Sequence, residues 1–449
     1  MSEFLVHLSG DKSITHRAFI FASLAQGTSY IHNVGDGADL ASTRRVLRQL
    51  GIHIESIGSG SWRVDGRGGV HRFKKPQRYL DCGNSGTTMR LMAGLLSGLS
   101  FSVTLDGDES LKNRPMKRIS KVLEPLSRSF STSKTGCAPV MVGGDLNFES
   151  DPQSQSEYNP QANIDSPPII IETQSSSAQL KSAGFLAGLS HPNAIIVREN
   201  RQSRDHTERM LSSLWQSPIT LSLPTQKKPL PAFEFTSPGD FSSASFWIAI
   251  NALSPHTAPH IKITNVNLNP TRMGLLRIVK RMGLNVSTYL KEERLGEPVG
   301  DLILKPLTQE ETLVGVTLDT QEVIDALDEL PIVALLAAFA QGQTVVRGAQ
   351  ELKVKESDRL EAMGVALSRL GVTIQTLSDG WIIDGKPNLI LNHQLSVDSL
   401  GDHRIAMCLL IAQLKSLTGQ LEVTDSECLH ISYPEFPIQF AAYRALSFA

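Results

Sequence analysis

Lys12, Ser13 and Arg17 of GDKSITHR put two cations and a hydroxyl into six residues. On a helix, Ser13 and Arg17 share a face one turn from the N-terminus, with Lys12 at the tip. Taken alone, this is also an ordinary serine-capped helix start with solvated basic neighbours. In KVKESDRLEAM, Lys355 and Arg359 stack four apart if the segment opens a helix. Like charges at that spacing are mildly unfavourable, and an anion bridging them reverses the sign. Glu356 beside them can move a proton, whereas Asp358 and Glu361 would neutralise a plain charged face. Arg114 in RPM and Arg404 in DHR stand at expected element ends. An arginine there makes either a weak surface ion pair or a bidentate contact to carboxylate or phosphate. Asp328 and Glu329 in DELP are carboxylates at a helix start, where Asp328 could simply cap. Cations that hold anions, with carboxylates that pass protons, describe acid–base chemistry on negatively charged molecules. The Walker-type run GxxxxGK[ST] is absent.

The same signals open a unit that recurs six times, at KSITHR, NSGTTMR, SSAQLKS, DFSSAS, DELP and DHRIAM. Counted from Ser13, Ser85, Ser177, Ser242, Asp328 and Asp402, the openings lie 72, 92, 65, 86 and 74 residues apart. Such a period marks one supersecondary unit copied along the chain. Each opening leads into a helix of small apolar residues, as in AFIFASLAQG and VALLAAFAQG. A second, amphipathic helix ends in glycine before a β run: TRRVLRQLGIHIES, LLRIVKRMGLNVST and MGVALSRLGVTIQT. Gly51, Gly283 and Gly371 sit where a left-handed residue ends a helix. The second and third copies lack that glycine. The pattern predicts β–α–β–β–α–β units. Helix N-termini attract anions through unpaired N–H groups and the helix dipole, so six of them suit phosphates and carboxylates. TSPGD at 236–240 reads as a linker, which predicts two lobes of three units and a cleft between them. Residues 144–168, rich in Pro, Ser, Gln and Asn, are expected to form an exposed loop.

The chain has 449 residues, 41% of them hydrophobic and 20% charged, and a net charge of −2. That is an ordinary globular composition without the basic field that nucleic acid or an anionic membrane would attract. Cys82, Cys137, Cys408 and Cys428 form no CxxC pair and have no histidine at metal-ligand spacing, so buried reduced thiols are expected. With no leader at Met1 and no apolar run of about 18 residues, the expectation is a cytoplasmic protein without metal or cofactor.

Together the motifs resemble one family, 5-enolpyruvylshikimate-3-phosphate synthase. GDKSITHR, GNSGTTMR, RPM, SAQLKSA, SRDHTE, PGDFSSASF, NPTR, DELP, VKESDRL, DHRIAM and YPEF stand in the family's order over nearly the whole chain. The resemblance implies an α/β fold of two similar lobes, each of three βαββαβ-type units around a pseudo-threefold axis (an inside-out α/β barrel), joined by a two-segment hinge. The lobes would be residues 14–237 and 238–449, with residues 1–13 returning to the second. It implies transfer of the enolpyruvyl group of phosphoenolpyruvate to the 5-hydroxyl of shikimate 3-phosphate, by addition and elimination, in a monomer.

Position by position, the resemblance assigns shikimate 3-phosphate to Lys12, Ser13, Arg17, Ser177, Ala178, Gln179, Arg204, Asp328 and Lys355. It assigns phosphoenolpyruvate to Lys12, Asn84, Gly86, Arg114, Gln179, Arg359, His403 and Arg404. Lys12, Asp328 and Glu356 would be catalytic, Asp328 as base toward the 5-hydroxyl and Glu356 as the acid that protonates C3. Some positions depart from the pattern. Ala178 replaces a second serine and Ile431 a lysine, as in the class that contains glyphosate-insensitive enzymes, yet Gly86 is typical of sensitive ones. The short amino terminus suggests a clipped first strand. The nearest rival transfers enolpyruvyl to UDP-N-acetylglucosamine and uses a loop cysteine, for which Cys137 in TGCAPV stands in a similar context. That family lacks the SAQLKS, KESDRL and DHRIAM set and opens with Lys-Asn where this chain has Lys12-Ser13. RNA 3′-phosphate cyclases share the repeat, but the charge balance and the 6% aromatic content argue against RNA. An inactive paralogue on the same fold is a further alternative.

Overall fold

Helices that begin on a polar signal and then turn wholly apolar must be buried on every side. A computed structural model, describing residues 2–144, 166–173, 177–225, 227–391, 395–416 and 421–448, places six such helices. They are Lys12–Leu24, Gly86–Leu96, Ala178–Gly188, Phe241–Leu253, Leu330–Ala338 and His403–Ala412. Every residue from Ile14 to Leu24 is buried, as is every residue of Leu330–Ala338. Most of the 144–168 stretch, and Ser176 of the third opening, lie outside the described residues, as does the side chain of Ile431.

The chain forms two compact units. One consists of Lys12–Ser237 with Arg294–Glu297, the other of Met1–Asp11, Pro238–Glu293 and Pro298–Ala449. The expectation gave residues 1–13 to the C-terminal unit; the first boundary instead falls after Asp11, so Lys12 and Ser13 belong with the helix they begin. Each unit has its own hydrophobic core. Among the described residues each carries three sheets.

In the N-terminal unit, Gln26–His32 pairs in parallel with Glu234–Thr236 and antiparallel with Ser61–Arg67, which pairs with His53–Gly58. The second sheet repeats this with Leu80–Asp81 parallel to Val103–Asp106, then Val140–Val142 and Phe130–Thr132 antiparallel. The third has Ile169–Thr173 parallel to Ile195–Glu199, with Ser222–Leu223 antiparallel. In the C-terminal unit, Glu3–His7 pairs in parallel with His260–Asn267 over all five of its residues.

In the first, second and fourth copies the order is β–α–β–α–β–β rather than the expected β–α–β–β–α–β. There, and in the fifth copy, the amphipathic helix follows a single strand and then feeds a hairpin. Glycine sets that exit: Gly51, Gly283 and Gly371 have φ of +85°, +100° and +84°. In the copies without glycine, Ser127 and Gln216 take the left-handed position, each with φ of 51°. A second glycine requirement lies inside the N-terminal unit. A Cβ on Gly94 would stand 2.4 Å from the Ala183 carbonyl oxygen, so the helices Gly86–Leu96 and Ala178–Gly188 meet backbone to backbone.

Candidate functional site

Three helix starts of the N-terminal unit carry the first cluster. Lys12 is the first residue of Lys12–Leu24, so Ser13 lies inside the helix and does not cap it. Arg17 is buried and fully engaged: Nε donates to Thr207 Oγ1 at 2.8 Å and Nη2 to Ser182 Oγ at 2.6 Å. Its Nη1 donates to the Ser13 carbonyl at 2.8 Å, so the expected one-turn relation runs through backbone. Lys12 Nζ lies 2.8 Å from Asp39 Oδ2, in the first turn of the helix Ala38–Gln49. Sequence reasoning missed Asp39, although an acid opening an amphipathic helix was visible there. One turn from Lys12, burial pushes His16 down to about 3; Asp39 opposes that shift, and Lys12, Arg17 and Arg44 add to it. His16 is therefore neutral and leaves Asp39 to Lys12.

The second start builds a pair of guanidiniums around a glycine. Ser85 caps Gly86–Leu96 by accepting from the Thr88 N–H. Arg114 Nη2 donates to Asn84 Oδ1 at 2.6 Å. A Cβ on Gly86 would lie 2.9 Å from Arg90 Nη1 and 3.4 Å from Arg114 Nη1. Arg90, not singled out from the sequence, donates through Nη1 to Gln179 Oε1 at 2.8 Å, and Gln179 Nε2 donates to Thr87 Oγ1 at 3.0 Å. Ser177 immediately precedes Ala178–Gly188 but makes no capping bond through its hydroxyl, and Ala178 is the first helical residue. Half-buried Arg204 sits in the loop before His206–Trp215.

Cross-bracing gathers these three starts. Arg17 ties the first to the third through Ser182. Gln179 ties the third to the second through Arg90 and Thr87. A buried chain from His16 Nδ1 to Thr43 Oγ1, then to Thr88 Oγ1 and Ser85 Oγ, ties the first to the second, each step 2.7 or 2.8 Å. Fixed N–H groups and guanidiniums of this kind hold anions without reorganising.

The C-terminal unit places its candidates around Asp328. That residue lies in the 3-10 turn Leu327–Glu329 and does not cap the following helix, as Glu329 intervenes before Leu330–Ala338. Lys355 Nζ is 3.0 Å from Asp328 Oδ1 and Arg359 Nη1 is 3.8 Å from it. The expected helical stacking of Lys355 on Arg359 does not occur. Asp358 accepts from the Leu360 and Glu361 N–H groups and starts the helix at Arg359, beyond Lys355. The two cations meet through the acid instead.

Arg359, 2% exposed, is 2.5 Å from Glu356 Oε2 and 2.7 Å from Asp402 Oδ2. Burial works against its charge, but Asp402, Glu356 and Asp328 outweigh it and hold the guanidinium protonated. Burial likewise pushes the Asp402 carboxyl up, and Arg359 and His403 outweigh it, so the carboxyl is held below its usual range. Asp402 also caps His403–Ala412 by accepting from the Arg404 N–H at 2.9 Å. His403 is buried at that start, and Arg404 Nη1 donates to the Asp328 carbonyl at 2.6 Å. Behind them Glu329, fully buried, accepts from Ser242 Oγ at 2.5 Å, and Arg272 Nη2 donates to the same hydroxyl at 2.7 Å. Arg272 and Ser242 come from NPTR and DFSSAS, two motifs of the sequence that had no assigned role.

A family model described as EPSP synthase (3-phosphoshikimate 1-carboxyvinyltransferase) matches residues 4–440. A 3-phosphoshikimate 1-carboxyvinyltransferase from Syntrophomonas wolfei is 39% identical over 434 residues, 96% of this chain and 95% of that protein. One from Bacillus subtilis is 37% identical over 437 residues, 96% of this chain and 95% of the relative. Among solved structures, an EPSP synthase from Acinetobacter baumannii superposes with a TM-score of 0.80 at 32% identity, covering 99% of this chain and 96% of the other. The enolpyruvyl transferase NikO from Streptomyces tendae shares the fold, with a TM-score of 0.71 at 16% identity over 98% of this chain and 94% of its own.

Proposed function

The chain belongs to the EPSP synthase family, and from that membership we propose that it transfers the enolpyruvyl group of phosphoenolpyruvate to the 5-hydroxyl of shikimate 3-phosphate, releasing phosphate. The observation that carries this reading is the pairing of each candidate proton carrier with a cation: Asp328 with Lys355 at 3.0 Å, Glu356 with Arg359 at 2.5 Å. Phosphate release that requires both substrates tests it.

In this reading Lys12, Ser13, Arg17, Ser177, Gln179 and Arg204 hold shikimate 3-phosphate, and the methyl of Ala178 packs beside it. Asp328 takes the proton of the 5-hydroxyl, with the Lys355 ammonium 3.0 Å from its carboxylate. Lys12, Asn84, Gly86, Arg114, Gln179, Arg359, His403 and Arg404 surround phosphoenolpyruvate. Glu356 gives a proton to C3, positive charge develops at C2, and the 5-oxygen adds there to form a tetrahedral ketal phosphate. A C3 proton then returns to Glu356, and phosphate departs with the proton held by Asp328, which restores the double bond and both carboxyl groups. The enzyme works as a single chain in the cytoplasm, and nucleic acid is not a partner. No helix among the described residues is long and apolar enough to cross a membrane.

Gly86 sets the room beside Arg90 and Arg114, and glyphosate is expected to inhibit by occupying the phosphoenolpyruvate site. A methyl at Gly86 presses on the flexible ends of two arginines, so folding tolerates it while a crowded ligand loses about 1–3 kcal/mol. Inhibition assays on the native protein and on Gly86→Ala should therefore show weaker inhibition of the variant; equal, weak inhibition of both contradicts the steric account.

A further inference from the structure

Behind the first cluster, the N-terminal unit buries an ionic group that the proposed reaction does not use. Lys181, 1% exposed, lies 2.7 Å from Glu199 Oε1 and 2.8 Å from Glu208 Oε1. Its ammonium also donates to the Ser203 carbonyl at 3.2 Å. Glu199 turns both oxygens to that same residue: Oε1 accepts the Ser203 N–H at 2.9 Å and Oε2 the Ser203 hydroxyl at 2.6 Å. The N–H, the carbonyl and the hydroxyl of one loop residue are all held by a buried ion pair.

Stability alone does not account for the arrangement. Buried ion pairs are often matched or bettered by apolar groups of similar volume. Here one cation faces two carboxylates, and Glu208 Oε2 is buried with no hydrogen-bond partner among the described residues. Burial raises the Glu208 carboxyl despite Lys181. What the group does fix is the backbone at Ser203, whose next residue is Arg204. The same two helices fix Arg17 through the adjacent positions: Ser182 follows Lys181, Thr207 precedes Glu208, and both bond Arg17. An arginine on a loop ordered in advance binds an anion without the entropy cost of ordering that loop.

We infer that Lys181 and Glu199 are positioning residues: they lock the Ser203 backbone and so set the grip of Arg204 on the phosphate of the sugar substrate. The inference rests on the assignment of Arg204 to that phosphate. A double-mutant cycle with Glu199→Gln, Arg204→Ala and the pair, reading KM for shikimate 3-phosphate and for phosphoenolpyruvate separately, tests both. Arg204→Ala should raise KM for shikimate 3-phosphate. Glu199→Gln should raise it about tenfold, with kcat and KM for phosphoenolpyruvate within about twofold, and should add less than about twofold once Arg204 is gone. An unchanged KM in Arg204→Ala defeats the assignment, and the inference with it. A raised KM in Arg204→Ala, with Glu199→Gln silent or equally damaging in both backgrounds, defeats the inference alone. If Glu199→Gln does not fold, Ser203→Ala, which removes one hydroxyl and spares the ion pair, goes through the same cycle. Its expected rise is about threefold, again suppressed in Arg204→Ala.

Discussion

Glu356→Gln is expected to lose about 10²–10⁴-fold in turnover, the usual contribution of a positioned proton-transfer group. Glutamine keeps the volume and an oxygen for Arg359 but has no proton to give at C3. Asp328→Ala is expected to fall in the same range because nothing then receives the 5-hydroxyl proton. Shikimate 3-phosphate should still bind both variants, since the N-terminal unit supplies Lys12, Ser13, Arg17 and Arg204. Steady-state turnover together with equilibrium binding of shikimate 3-phosphate separates the two effects. Turnover at the native level in either variant removes that residue from the mechanism.

Asp402→Ala should be the most damaging single change to the C-terminal unit. The carboxylate bonds Arg359 through Nε at 2.7 Å and Nη2 at 3.3 Å, accepts the Ser357 hydroxyl at 3.1 Å and caps a helix. Its loss strips a buried guanidinium of its main counter-charge, which costs about 3–5 kcal/mol, to which the lost cap adds about 1 kcal/mol. Denaturant unfolding of Asp402→Ala and Asp402→Asn measures this, with asparagine recovering the cap but not the charge. The sign with pH follows from the depressed carboxyl. Its stabilisation is complete above the ordinary aspartate range and is lost as pH falls through the lower native value. The asparagine variant should lack that dependence, and an alanine variant as stable as the native protein contradicts the account.

Much of the candidate site's geometry was legible because its residues open helices, and helix starts carry local signals. Ser85 and Asp402 cap helices at two of the openings seen in the sequence, and Gly51, Gly283 and Gly371 end the amphipathic helices in left-handed conformation. Ser127 and Gln216, both exposed, end two others in the same conformation without the glycine that marks the rest. The position of the second helix within the unit was misplaced since periodicity identifies elements better than their order. Spacing also misled at Lys355 and Arg359. Four residues apart suggested one helical face, whereas Asp358 starts the helix later and Asp328, far off in sequence, joins the two cations. The partners of the cations were largely hidden for the same reason. Asp39 reaches Lys12 and Gln179 reaches Arg90 only after the chain has folded.

Phosphate release from phosphoenolpyruvate, measured with and without shikimate 3-phosphate, tests the central claim most directly. Release should require both compounds and should be accompanied by one enolpyruvylated sugar phosphate per phosphate freed. Release from phosphoenolpyruvate alone, or none with both present, would contradict the proposed transfer.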